Sequence, residues 1–189
     1  MERGCPAEAS RVLRELYAGD TASPIALEAM DGDARCRFML CKKAEAIRLA
    51  RRVAEATPSG DPARARRWSL VATFLRQSGR SREAAEVLSQ RIAAEPHLPD
   101  RQLLIVSLMS ALNEQSAWRE SVGTFHRYEK DLRVSDHYGF ALFLAARALE
   151  EDGKIADAKS FYRQSLEVAP NSVHACEARA ALRRLDGSR

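Results

Sequence analysis

Three residue pairs recur at one fixed distance along the chain: Gly79 with Gly153, Ala84 with Ala158, and Pro96 with Pro170, each 74 residues apart. A fixed internal period constrains a fold more than a single motif does, because each unit then packs on its neighbours instead of around one central core. Halving the distance brings a further unit into line. At an offset of 37 residues Trp68, Ile105 and Leu142 coincide, as do Val71, Leu108 and Ala145; Ala72, Met109 and Ala146; and Leu75, Leu112 and Leu149. Each set of four is spaced i, i+3, i+4, i+7, which is one face of an α-helix. A second helix follows each: Ala84, Leu88 and Ile92; then Ser121, Phe125 and Tyr128; then Ala158, Tyr162 and Leu166. The repeating unit is a helical hairpin.

The punctuation agrees. Gly79 and Gly153 fall between the paired helices, where a left-handed residue ends a helix without a Cβ penalty. Pro96 and Pro170 follow the second helix, where the missing N–H and the ring stop its continuation. Composition points the same way: of 189 residues 32 are Ala and 25 are Arg, both strong helix formers, while 9 Gly and 7 Pro are too few for many short strands and turns. Short turns oblige the paired helices to pack antiparallel.

These stretches, WSLVATFLRQSGRSREAAEVLSQRIAAEP (68–96) and LFLAARALEEDGKIADAKSFYRQSLEVAP (142–170), resemble tetratricopeptide repeats. Trp68, Val71, Ala72, Leu75, Gly79, Ala84, Leu88 and Pro96 supply the family pattern in one, and Leu142, Ala145, Ala146, Leu149, Gly153, Ala158, Tyr162 and Pro170 in the other. The middle unit keeps the helical faces but has Ser116, Ser121 and Arg133 at the Gly, Ala and Pro positions. An earlier unit is degenerate: Ala46, Ala50, Val53 and Pro58 match the second helix, and Asp31-Gly32-Asp33 is expected to break the first, leaving a separate short helix over 24–31. The resemblance implies an all-α, helical-repeat solenoid of antiparallel helix pairs. Expected are a poorly defined helical leader over 1–33 and a repeat domain over 34–189, with repeats at about 65–96, 102–133 and 139–170 and a capping helix over 172–186.

The resemblance also implies a function, that of holding a helix or extended peptide of another protein in a concave groove lined by the first helix of each pair. The groove is expected to use Arg66, Leu70, Thr73 and Arg76; Leu103, Val106 and Ser110; and Phe140, Phe143, Leu144 and Arg147. Its apolar members would receive the apolar side of the partner and its arginines would meet acidic residues. The competing reading packs Phe140 and Phe143 against neighbouring helices or folds the final helix into the groove. An adaptor, scaffold or chaperone is the expected role. The alternatives are a regulatory or sensor domain of a transcription or signalling system, and a secretion-type chaperone.

Charge is unevenly laid out. Residues 1–33 carry net −4, 34–67 net +7 and 68–189 net +1, within a total of +4. Arg48, Arg51, Arg52, Arg64 and Arg67 are therefore a candidate electrostatic patch for an acidic protein or nucleic acid. A solvated helix face is preferred over nucleic acid, since no aromatic residues interleave to stack bases. Catalysis is not expected: His97, His126, His137 and His174 are dispersed, Cys5, Cys36, Cys41 and Cys176 lack metal spacing, and Cys36 and Cys41 lack a neighbouring base. Trp118 is expected to pack between the paired helices, and Cys36 and Cys41 to pack or to lie at the edge of the N-terminal unit. No cofactor, metal or membrane segment is expected, and a cytoplasmic location follows from the N-terminus having no apolar run. The oligomeric state is not specified.

Overall fold

The structure, a computed structural model, describes residues 5–187; residues 1–4, where the expected leader begins, and 188–189, at the end of the expected repeat domain, lie outside the described residues. The described residues form ten α-helices and no strand. The chain divides into two compact units, Met1–Arg101 and Gln102–Arg189.

The first unit contains α1 (Pro6–Tyr17), α2 (Pro24–Met39), α3 (Lys43–Ala56), α4 (Ala63–Gln77) and α5 (Ser81–Ala94). Here α2 pairs with α3 and α4 with α5, while α1 packs on α2. The expected helix break at Asp31-Gly32-Asp33 does not occur, and α2 runs unbroken through it. Two features replace the propensity lost there. A Cβ on Gly32 would lie 3.0 Å from the Leu13 side chain, so the glycine admits α1 close against α2. Asp33 is fully buried and accepts hydrogen bonds from Ser10 Oγ at 2.5 Å, Tyr17 Oη at 2.5 Å and the Arg37 guanidinium at 2.7 Å and 3.0 Å. The leader boundary expected at residue 33 thus falls inside a helix.

The second unit contains α7 (Trp118–Arg133), α8 (Tyr138–Glu151), α9 (Ile155–Val168) and α10 (Ala175–Gly187), together with α6 (Arg101–Glu114) from its second residue onward. Here α8 packs on α7 and α9, and α10 covers α9, as a capping helix does. The buried residues are those that the period aligned: Ile105, Met109, Leu142, Ala145, Ala146, Ala158 and Tyr162 are each at most 1% exposed. Trp118, read as a core residue, is only half-buried at the start of α7.

All four pair turns share one device. Cys41, Gly79, Ser116 and Gly153 adopt φ of 61°, 76°, 59° and 79°. The following residue then donates to a carbonyl five positions back: Lys42 to Arg37, Arg80 to Leu75, Ala117 to Leu112 and Lys154 to Leu149, at 2.8–2.9 Å. This closes each first helix with a left-handed residue and satisfies its last carbonyls. Cys41 is exposed, so of its two expected places the packed one does not hold, and it occupies the glycine position of the first pair.

Candidate partner-binding surface

In the first unit, the helices that begin each pair are α2 and α4. Arg66 is exposed and lines a cleft of about 260 Å³ together with Glu28, Asp31, Arg35, Ala63 and Arg67. Thr73 and Arg76 are half-buried, with Thr73 Oγ1 donating to the Ser69 carbonyl at 2.9 Å. Leu70 is buried at 8% exposure and belongs to the interior of α4 rather than to an open groove.

In the second unit the corresponding helices are α6 and α8. Leu103 and Phe140 are half-buried and Arg147 is exposed. Val106, Phe143 and Leu144, expected in the groove, are instead 2%, 3% and 4% exposed. Ser110 is also buried and turns its hydroxyl onto the Val106 carbonyl at 2.9 Å. For Phe143 the cover comes from α9 and the segment before α10. His174, just before α10, stacks on Phe140 at 4.2 Å and on Phe143 at 5.0 Å between ring centroids, while Tyr162 approaches Phe143 at 6.0 Å. Such stacks withdraw apolar ring surface from water, so the packed alternative describes Phe143. Burial lowers the His174 pKa, Glu177 opposes the shift and Arg147 assists it. Beside this stack lies a cleft of about 280 Å³ whose lining includes Phe143, Arg147, Glu150, Glu177 and Arg184. Within it Tyr162 Oη donates to Glu150 at 2.9 Å and Arg184 pairs with Glu150 at 2.6 Å, whereas Arg147 lies 6.0 Å above the Phe143 ring.

Solved structures share this arrangement of helix pairs. The chain is similar to a Podosopora anserina putative kinesin light chain with nearly identical TPR-like repeats (21% identity, TM-score 0.67, 91% of this chain and 91% of that one). It is similar also to BtubC (BKLC) from P. vanneervenii (18% identity, TM-score 0.68, 96% and 81%) and to the first TPR domain of human RPAP3 (18% identity, TM-score 0.52, 68% and 100%). The fold is that of a tetratricopeptide-repeat protein. No family model and no curated protein matches the sequence.

Within the tetratricopeptide frame the basic segment has mostly a structural use. Arg64, 9% exposed, donates to the carbonyls of Ala54 and Thr57 and pairs with Glu95 at 2.7 Å. Arg101, one repeat later, donates to the Ile92 carbonyl in the same way. Each cation caps the carbonyl end of a second helix. Arg67, 6% exposed, bonds Thr57 Oγ1 and Glu28, and Arg51 pairs with Glu83 at 3.0 Å. Of the five arginines expected to form an electrostatic patch, only Arg48 and Arg52 are exposed, the other three being drawn into the pairs above. Interior pairing wins because a repeat protein must satisfy many helix ends between its hairpins.

Sequence patterning does not single out two groups that matter here, the buried Asp33 and the exposed Glu28. Asp33 passed as a helix breaker, although a carboxylate four residues before Arg37 signals an ion pair on one helix face. Glu28 carried no motif. Asn113 bridges α6 to α8 by donating to the Leu144 carbonyl at 2.9 Å, while its buried Oδ1 has no hydrogen-bond partner among the described residues.

Proposed function

We propose that the chain is a protein-binding module rather than an enzyme, serving as an adaptor, scaffold or chaperone that takes a helix or extended segment of another protein on the first-helix faces of its pairs. One observation carries this reading. Each unit has a cleft on that face containing an exposed arginine, Arg66 or Arg147, that forms no ion pair among the described residues. Such an arginine can hold a partner carboxylate through two parallel hydrogen bonds. In the second unit the half-buried Phe140 lies two turns before Arg147 on the same helix face, where it supplies an apolar contact.

The test is affinity capture of the natural partner by the wild-type chain and by the Arg147→Glu variant, with helicity followed by circular dichroism. The expected result is loss of the partner with unchanged helicity, because Arg147 is exposed. Equal capture by both chains would overturn the role given to Arg147. Retention of the partner in high salt would place the affinity in apolar contacts, since exposed ion pairs are screened.

A further inference from the structure

We infer that the cleft between α2 and α4 is a carboxylate-binding site for an acidic segment of a partner protein, and that Glu28 occupies it as an exchangeable internal stand-in. This rests on the reading of the chain as a protein-binding module and names the chemistry of one contact.

Two ion pairs of the first unit differ in a way that a purely structural role does not explain. In the Arg64–Glu95 pair both side chains are withdrawn, at 10% and 12% exposure. In the Arg67–Glu28 pair the arginine is 6% exposed and the glutamate 69%. Arg67 is fixed from behind, where Nη1 donates to Thr57 Oγ1 at 2.8 Å, leaving Nη2 to meet Glu28 Oε1 at 2.7 Å on the cleft side. The buried cation is thus anchored by the interior, whereas its counter-ion is held from solvent by one bond.

That asymmetry permits exchange. Stripping a buried guanidinium of its partner is costly, so Arg67 favours an acceptor on its cleft side throughout. The partner need not be Glu28, because a mostly exposed carboxylate returns to water with little loss. An incoming Asp or Glu side chain takes over the bond to Arg67 and gains Arg66, which lines the same cleft, is exposed and has no ion pair among the described residues. The remaining pair, Arg35 with Asp31 at 3.2 Å, is internally neutral and undisturbed. A nucleic-acid strand fits less well. No aromatic ring lines the cleft to stack a base.

The experiment titrates the full chain, ¹⁵N-labelled, with the capped peptide AEAAEA and with AQAAQA as control. The binding curve is read from α2 and α4 amide shifts. The expected result is saturable shifts for AEAAEA alone, tightened about two- to fivefold by Glu28→Gln, which removes the internal competitor while retaining an acceptor for Arg67. Arg66→Gln, at an exposed position, weakens binding with circular dichroism unchanged. Equal binding of AQAAQA, or a Glu28→Gln chain that binds no tighter, would overturn the inference. So would tighter binding of a dT12 oligonucleotide to the same amides. Failure here is separable from failure of the broader reading, because the capture test depends on Arg147 in the other unit.

Discussion

At corresponding positions of their first helices, the first and last pairs bury different chemistry. α2 places Met30, Asp33, Ala34 and Arg37 where α8 places Leu142, Ala145, Ala146 and Leu149. The intervening pairs, with Trp68, Val71, Ala72 and Leu75 and with Ile105, Leu108, Met109 and Leu112, follow α8. The first pair therefore holds α1 through a polar network in which Asp33 meets Ser10, Tyr17 and Arg37, and Arg37 continues to Glu45 at 3.1 Å. In the last pair α8 holds α9 and the His174 stack by apolar area. One backbone frame tolerates either interior, provided that every buried polar group is satisfied.

The largest expected effect breaks the polar side of this contrast. Asp33→Ala removes the acceptor shared by Ser10, Tyr17 and Arg37, leaving Arg37 with Glu45, and should cost about 3–5 kcal/mol, the range for breaking a buried ion pair. Denaturant unfolding measures it, with hydrogen exchange in α1 rising first. The double replacement Asp33→Val with Arg37→Leu installs the residues of the α4 pair and should lose less than the single one. A greater loss would show that the network, rather than the volume, specifies the packing of α1. Acid should act in the same direction. Burial alone would raise the Asp33 carboxyl pKa, but hydrogen bonds from Arg37, Ser10 and Tyr17 outweigh it and hold it below its ordinary value of 3.8. Its stabilisation is therefore present above that value and lost as pH falls through the folded-state pKa, and Asp33→Asn should flatten this acid limb.

On the apolar side, Phe143→Ala should cost about 3 kcal/mol, near the lower end for a buried aromatic. Phe140→Ala, at a half-buried position, should cost visibly less by the same unfolding measurement. Equal costs would place Phe140 in the interior and withdraw it from the binding face.

The turns offer a smaller effect that crosses the comparison. Ser116→Gly and Cys41→Gly should each stabilise by about 1 kcal/mol, and Gly79→Ala should destabilise similarly, because a Cβ is strained at positive φ. If only the Ser116 change stabilised, the first pair would differ in its turn as well as in its interior.

The smallest effect concerns His174. Its folded-state pKa is lowered, chiefly by burial against Phe140 and Phe143, so protons bind more readily to the unfolded chain. Its contribution is complete above the ordinary value of 6.5 and declines as pH falls below it. His174→Phe should remove this slope from the thermal midpoint measured between pH 7 and 5.

The sequence by itself determined the hairpin period, the antiparallel pairing and the apolar face of α4, α6 and α8, because repeated spacing and turn residues act locally or between adjacent helices. It could not reveal that α2 belongs to the same series, since Asp33 and Arg37 stand where hydrophobic periodicity looks for aliphatic residues and their partners, Ser10 and Tyr17, are on another helix. Facing was the other matter left to tertiary structure. Leu103 and Phe143 belong to equally apolar faces, yet only Phe143 is buried, because His174 and Tyr162 close over it from beyond its own helix. Arg64 and Arg66 are two residues apart and equally basic in the sequence, but one reaches the carbonyl end of α3 and the other reaches the cleft. Periodicity shows which residues share a face, whereas exposure depends on which neighbouring helix arrives to cover it.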